Sequence, residues 1–400
     1  MRLAIVAPHY PEYSIRYAAA MSRHCEVLAC VDEKQLSDEY EGRSGADPAA
    51  AFVKPVRFRT PLDLVKLIVT IIRHRPSLVH LQEAAGVRRG LFTACVATLL
   101  KPFAVIVLTV HDPVAHEGRD SAVGRRAAGV QKYLRWLADV VVLHGAYCAA
   151  QYRRHRWATR QHIVVSRHGV VLEPAEISPV PAGPLRIYTF GRMETYKGLA
   201  VLVDAAERMH HDGLRFELSV AGRGPEMDRL ESRLRRLPEV TVFNGYVPPM
   251  AVINSIQASD CVVLPYLEAT QSGVLAAGFG GGRCVVASDT GGIPDVVEHM
   301  RNGLLVRPGD PDALVSAVRG LVADHDLRLT LQRGAAESAR GALNWNNITD
   351  VVFEEFALHR RSGHGWWRVR PGAGTGDAMR AGRAPGSVGR SSPRATSGDG

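Results

Sequence analysis

The chain has 400 residues, of which 46% are hydrophobic, enough for two separate cores, and 49 basic against 40 acidic side chains give a net charge of +9. Six Arg against two Asp fall after Gly363, so the remainder is only mildly basic. That balance suits an anionic ligand or a membrane surface, and without aromatic interleaving or a recognised binding module it excludes a dedicated nucleic-acid binder.

The six cysteines at 25, 30, 95, 148, 261 and 284 form no CxxC pair and sit mostly in apolar runs, which reads as buried reduced thiols in a cytosolic protein. No segment reaches the roughly 20 apolar residues of a spanning helix, and the short apolar run of MRLAIVAPHY reads as a strand rather than a signal peptide. Residues 3–7 are that first strand, continuous enough to be buried on both faces. The loop after it, 9–16, lacks GxGxxG, which argues against a dinucleotide site and hence against a dehydrogenase. Arg16 in this loop is a candidate anion contact, with a helix-surface position as the plainer alternative.

A second strand at 26–31 and a polar loop to about residue 50 follow. Thr60-Pro61-Leu62-Asp63 carries the marks of a helix start, and Pro76 stops that helix after His74. A strand at 78–81, a helix at 86–100 and a strand at 103–110 continue the alternation that defines a parallel, doubly wound sheet. The last strand ends in Thr109-Val110-His111-Asp112-Pro113, with His116 close behind. Side chains at such a strand end face the crevice where open α/β sheets bind ligands, and an imidazole there can bond a sugar hydroxyl or handle a proton. His111, Asp112 and His116 are therefore candidates, against the alternative of structural residues satisfied by backbone.

Arg119, Arg125, Arg126, Lys132 and Arg135 alternate with apolar residues in a stretch that reads either as a solvated basic helix face or as an amphipathic helix lying on anionic lipid. A second basic group, Arg153, Arg154, Arg156 and Arg160, follows a strand at 140–143. His168-Gly169 closes the first domain, placed at 1–175, and three prolines mark the linker, placed at 176–183.

The second domain, placed at 184–340, opens with a strand at 185–190 and the loop Gly191-Arg192-Met193-Glu194-Thr195-Tyr196-Lys197-Gly198. Arg and Lys on one strand-to-helix loop suit a diphosphate, Arg as a bidentate fork and Lys as a point charge. Gly222-Arg223-Gly224-Pro225 is a further glycine turn after a strand. The strand at 261–264 leads through polar Glu268 to Gln271 into Ser272-Gly273, which opens an apolar helix. This order puts a carboxylate and a helix N-terminus together at the C-terminal edge of a parallel strand, where free amides and the helix dipole hold phosphate. A strand at 284–288 ends in Thr290-Gly291-Gly292-Ile293-Pro294 over the same edge. Helices at 311–321 and 327–339 follow, and Asp310 and Asp312 at the start of the first read as capping residues rather than metal ligands.

Taken together, Pro265-Tyr266, Glu268, Gln271-Ser272-Gly273-Val274, Val285-Val286-Ala287, Gly291-Gly292, Pro294 and Gly303-Leu304-Leu305-Val306 resemble the donor half of the family 4 glycosyltransferases. The resemblance implies a GT-B fold, two Rossmann-like domains facing a cleft, and retaining transfer from a nucleotide diphosphate sugar without cofactor or metal. It implies a glycan or lipid-linked acceptor in bacterial surface polysaccharide synthesis, and a cytoplasmic enzyme with peripheral contact to the inner face of the plasma membrane.

By the same resemblance, Gly191, Arg192, Lys197, Gly222, Glu268, Ser272, Gly273 and Val274 hold the donor. Among these, Arg192, Lys197 and Glu268 are catalytic together with His111, while Arg16, Asp112 and His116 lie toward the acceptor. A helix at 341–362 crosses back onto the first domain, and 363–400 is an expected disordered tail. One departure stands out: the family's second Glu is replaced in the region of Ala276 and Ala277, and Gly280-Gly281-Gly282 follows as a soft helix end. That departure leaves open a degenerate GT-B protein that binds a nucleotide sugar, a membrane or a partner without turnover.

Overall fold

The computed structural model describes residues 1–40, 52–84, 86–114, 119–172 and 183–361. His116, the expected tail at 363–400 and all but Gly183 of the expected linker lie outside these residues. The first sheet is built from β1 (Arg2–Ala7), β2 (Glu26–Asp32), β3 (Val53–Val56), β4 (Leu78–Gln82), β5 (Val105–Val110), β6 (Val140–His144) and β7 (His162–Ser166). Its order is β3-β2-β1-β4-β5-β6-β7, with every neighbouring pair parallel. Between these strands run α1 (Pro11–Met21), α2 (Glu33–Tyr40), α3 (Pro61–His74), α4 (Val87–Leu100), α5 (Arg119–Leu137) and α6 (Gly145–Arg153).

The second sheet has β8 (Leu185–Arg192), β9 (Phe216–Arg223), β10 (Val240–Asn244), β11 (Cys261–Leu264), β12 (Cys284–Ser288) and β13 (Gly303–Val306), in the order β10-β9-β8-β11-β12-β13 and again parallel throughout. Its helices are α7 (Leu199–His211), α8 (Pro225–Leu234), α9 (Pro249–Ala258), α10 (Gly273–Gly280), α11 (Pro311–Ala323) and α12 (His325–Arg340). The strand order reverses between β1 and β4 in one sheet and between β8 and β11 in the other. Ligands of open parallel sheets collect outside the carboxyl ends of the strands at such reversals.

Local chemistry explains the boundaries. Thr60 Oγ1 accepts from the Asp63 amide at 3.2 Å while the Asp63 carboxylate accepts from the Thr60 amide at 3.0 Å, a reciprocal cap that starts α3 where the sequence placed it. Asp310 Oδ1 accepts from Ala313 N at 3.0 Å, so this acid caps α11 as expected. The loop expected after β2 is instead helix α2 followed by β3; the Asp32 carboxylate caps its first turn through Gln35 N at 3.0 Å. α13 (Trp345–Arg361) packs against α1 and β7, with Trp345 Nε1 donating to Val170 O at 2.7 Å and His162 Nε2 2.9 Å from Glu355 Oε2.

Three expectations need correction. Of the six thiols, all free, Cys25 and Cys95 are only partly buried. Arg135, read as part of a basic helix face turned to solvent or to lipid, is buried and paired with Glu83 through bonds of 2.7 and 2.8 Å. The glycines after α10 are close-packed rather than loose: a Cβ on Gly281 would stand 2.4 Å from Ile256 Cγ2.

Candidate active site

At the second reversal the loop after β11 is tied by hydrogen bonds to the loop after β8 on one side and to the loop after β12 on the other. Leu267 N donates to Tyr196 O at 2.8 Å, Gly292 N to Ala269 O at 3.2 Å, and Thr290 Oγ1 to Leu267 O at 3.3 Å. Glu268 therefore sits on a main chain pinned on both sides, with its carboxylate exposed. Thr195–Lys197 form a 3-10 turn that ends at Gly198, left-handed at φ 68° and so close to Pro265 O that no side chain fits there. This turn presents Lys197, whose Nζ lies 3.9 Å from the centre of the Tyr266 ring and 5.2 Å from that of Tyr196. Lys197 has no ion-pair partner among the described residues. Arg192, at the end of β8, is exposed on the same edge.

Ser272 has extended backbone and caps α10, its Oγ accepting from Leu275 N at 3.2 Å. The cap satisfies the third amide of the helix, so the Gly273 and Val274 N–H groups keep no acceptor among the described residues. A Cβ built on Gly273 would meet nothing within 4 Å. The protein's own packing thus does not require glycine there, although glycine weakens a helix relative to alanine. An open glycine beside two unspent amides at a helix N-terminus fits an anion that must come close to backbone. Gly191 and Gly222 are register partners on β8 and β9, and a Cβ on Gly222, at φ 149°, would stand 1.9 Å from Gly191 O. Gly222 therefore serves strand geometry.

Tyr266 was not singled out from the sequence as a site residue. Its ring carries Lys197, and its hydroxyl lies 3.4 Å from Ser272 Oγ, so it joins the cation to the helix N-terminus. The detectable signal was an aromatic two residues past a buried strand and six before an N-cap serine.

On the first domain, His111 directly follows β5 and is buried. Its Nε2 is 2.9 Å from Gln82 Oε1, which makes Nε2 the donor and leaves Nδ1 an acceptor without a partner among the described residues. Tyr10 covers the ring at 4.4 Å between centroids and Tyr13 meets it edge-on at 5.0 Å. His144 and His168 lie 5.2 and 6.4 Å away. Burial, then the neighbouring His168, push the His111 imidazolium down to about 3; burial and His111 do the same to His80, also to about 3. Burial likewise lowers His144 and His168. His111 is thus a neutral ring behind Tyr10.

Asp112 and Arg16, the acceptor-side candidates among the described residues, are engaged elsewhere. The Asp112 carboxylate accepts from Thr270 Oγ1, on the loop that carries Glu268, and Cys148 Sγ donates to Thr270 O at 3.4 Å. Tyr147 N and Arg167 Nη1 bind Asp295 Oδ2 and O at 2.8 and 2.9 Å. Asp112 is therefore part of the tether between the two domains. Arg16 pairs with Glu12 one helical turn back at 2.5 Å. A mainly apolar cavity of about 510 Å³ lies behind this tether, lined by His144, His168, Gln271, Ala276 and residues of α13. Among the described residues no group of three or more His, Cys, Asp or Glu is placed to hold a metal, and no helix is long and apolar enough to cross a membrane.

Two parallel Rossmann-type sheets joined through the loop that carries Glu268 define the GT-B fold of glycosyltransferases. Residues 184–324 match the family model described as Glycosyl transferases group 1, which ties the second domain to those enzymes. The chain is 23% identical over 360 residues to the sulfoquinovosyl transferase SQD2 of Arabidopsis thaliana, covering 85% of this chain and 68% of that one. It is 28% identical over 186 residues to the amylovoran biosynthesis glycosyltransferase AmsK of Erwinia amylovora, covering 44% and 43%. The crystal structure of Anabaena Alr3699/HepE in complex with UDP and glucose superposes with a TM-score of 0.68 at 16% identity, over 90% of this chain and all of that one. The matches span between 41% and 64% of the length of the first curated relatives. The likeness to glycosyltransferases and their fold, first legible around Ser272-Gly273, is borne out.

Proposed function

We propose that the protein is a retaining glycosyltransferase that moves a hexose-type sugar from a nucleotide diphosphate sugar to a glycan or lipid-linked acceptor in bacterial surface polysaccharide synthesis. The observation that carries this reading is the open Gly273 with the unspent amides of Gly273 and Val274, next to Lys197 held on Tyr266. Arg192, Lys197 and these amides neutralise the leaving diphosphate, so the protein itself supplies the positive charge a metal would otherwise bring. Preorganised donors aimed at developing charge are the largest electrostatic contribution a site of this kind makes. Glu268 orients the donor sugar through its hydroxyls. The sugar C–O bond to phosphate breaks as the acceptor oxygen bonds to the same face, and the departing phosphate oxygen takes the acceptor proton. The single carboxylate on the donor loop supports this route over a two-carboxylate displacement. Relatives named for amylovoran and lipopolysaccharide core biosynthesis, and a structural neighbour solved with UDP and glucose, support the donor and product classes.

A binder without turnover is the second reading, favoured by the burial of His111 behind Tyr10 and by Ala276 and Ala277 in place of a second Glu. Calorimetric titration of UDP, GDP, ADP and dTDP into the intact protein and Lys197→Ala tests the donor site. One nucleotide binds, and the variant loses more than about tenfold, or 1.4 kcal/mol. Binding of none of the four contradicts the assignment of Arg192 and Lys197.

A further inference from the structure

His111 directly follows β5, at the edge where a sugar is expected, but the residue is 3% exposed and its Nδ1 is buried. The ring that reaches solvent over it is Tyr10, 38% exposed, which lies 4.4 Å from the imidazole between centroids at 45° between planes. Tyr10 rests on a fixed base. Tyr13, itself buried, meets His111, His144 and Trp345 edge to face with centroids 5.0, 5.4 and 4.9 Å apart, so the layer below Tyr10 is a packed block of rings.

The backbone of Tyr10 is unusual. It is left-handed, φ 57° and ψ 55°, directly before Pro11. A β-carbon and a following proline both disfavour that conformation. Ser14 N donates to Tyr10 O at 3.0 Å and closes the first turn of α1, which holds the strained residue in place. Glycine meets such dihedrals without strain, yet a tyrosine stands there. Residues kept in sparsely populated conformations gather at ligand sites, and the residue so kept here is the exposed ring.

Its place in the fold fits a ligand contact. Tyr10 follows the carboxyl end of β1, beside the reversal of the first sheet between β1 and β4. His111 beneath it is followed by Asp112, which accepts from Thr270 on the loop that carries Glu268. Tyr10 therefore covers the strand end that meets the donor loop.

We infer that Tyr10, rather than His111, is the first-domain residue that touches the sugar, the outward face of its ring packing on the C–H face of a pyranose. An uncharged aromatic face suits that apolar side of a sugar ring. His111 is then a positioning residue that backs the Tyr10 ring. The inference rests on the proposed sugar transfer, and the pyranose belongs either to the donor or to the acceptor.

Saturation-transfer NMR with the methyl glycosides of glucose, galactose and mannose tests it on the intact parent, Tyr10→Phe and Tyr10→Leu. Leucine keeps an apolar cover over His111 without an aromatic face, and both variants melt like the parent. The C–H protons of at least one glycoside take up saturation from the parent and from Tyr10→Phe, and affinity falls on the order of fivefold in Tyr10→Leu. Tyr10→Gly, which the backbone accepts without strain, shows the same loss and stands in if the leucine variant folds poorly. Calorimetry and turnover then assign the source. A loss for the nucleotide sugar but not for the free nucleotide places the donor's sugar on Tyr10, and a raised acceptor KM at unchanged kcat places the acceptor there. No saturation of any glycoside, equal saturation in parent and Tyr10→Leu, or equal loss in Tyr10→Phe and Tyr10→Leu would each overturn the inference. Saturation that depends on Tyr10 without binding of any nucleotide sinks the donor site alone; nucleotide binding with saturation indifferent to Tyr10 sinks the Tyr10 contact alone.

Discussion

Substituting alanine for Gly273 separates a ligand's need from a folding need. A methyl group there meets no protein atom within 4 Å, and the residue lies outside the left-handed region, so the folded chain accommodates it. Alanine is favoured over glycine in a helix by about 0.5–1 kcal/mol, with less of that realised in the first turn. For a domain of this size that is an unchanged melting temperature or a rise of up to about 3 °C. Nucleotide binding moves the other way. The methyl group occupies the approach to the Gly273 and Val274 amides, and loss of one charge-assisted hydrogen bond costs about 1.5–3 kcal/mol, or at least tenfold in Kd. Thermal melts and calorimetry on one preparation read both quantities. A variant that melts like the parent and binds nucleotide equally well would refute the amide site, and one that fails to fold would refute the claim that the position is open.

Two further outcomes follow from buried charge. His80 and His111 are held near 3 against an ordinary 6.5, so the unfolded chain binds more protons between these values and stability falls as pH drops below 6.5. Each buried ring contributes a slope of about 1.4 kcal/mol per pH unit well inside that window. Urea denaturation should give a lower midpoint at pH 5.5 than at pH 7.5, with a shallower dependence in His80→Leu; a midpoint that holds or rises on acidification would contradict the burial. Arg135→Met strands the Glu83 carboxylate and should cost about 3–5 kcal/mol in urea denaturation, whereas adding Glu83→Leu recovers most of it. Equal stability of the single and double variants would show that the pair is not the strut it is taken for.

What was legible in the sequence was local. The strand at β11, the polar loop, the Ser272 cap and the glycine after it all fall within thirteen residues, and each obeys a rule that needs no distant partner. The cap at Thr60 was legible for the same reason. What was hidden depends on contacts between distant residues. Arg135 looked like one more charge on a basic helix because Glu83, its partner, lies 52 residues away on another element. Asp112 looked available because Thr270 is 158 residues further on. His111 was correctly placed at a strand end, but its cover comes from Tyr10 and Tyr13, a hundred residues earlier. Helix α2 was masked by its polarity, since nothing in Glu33 to Tyr40 shows the apolar period by which a helix is usually recognised.

Sugar transfer at this site is read by release of free nucleotide from a panel of nucleotide diphosphate sugars, with the anomer of the product determined by proton NMR. Release from one donor with retention of configuration is expected, with a loss of about a hundredfold or more in Lys197→Ala, near 3 kcal/mol of transition-state stabilisation. Tight nucleotide binding with no release from any donor, in the presence of lipid-linked and glycan acceptors, would contradict it and leave a nucleotide-sugar binder in its place.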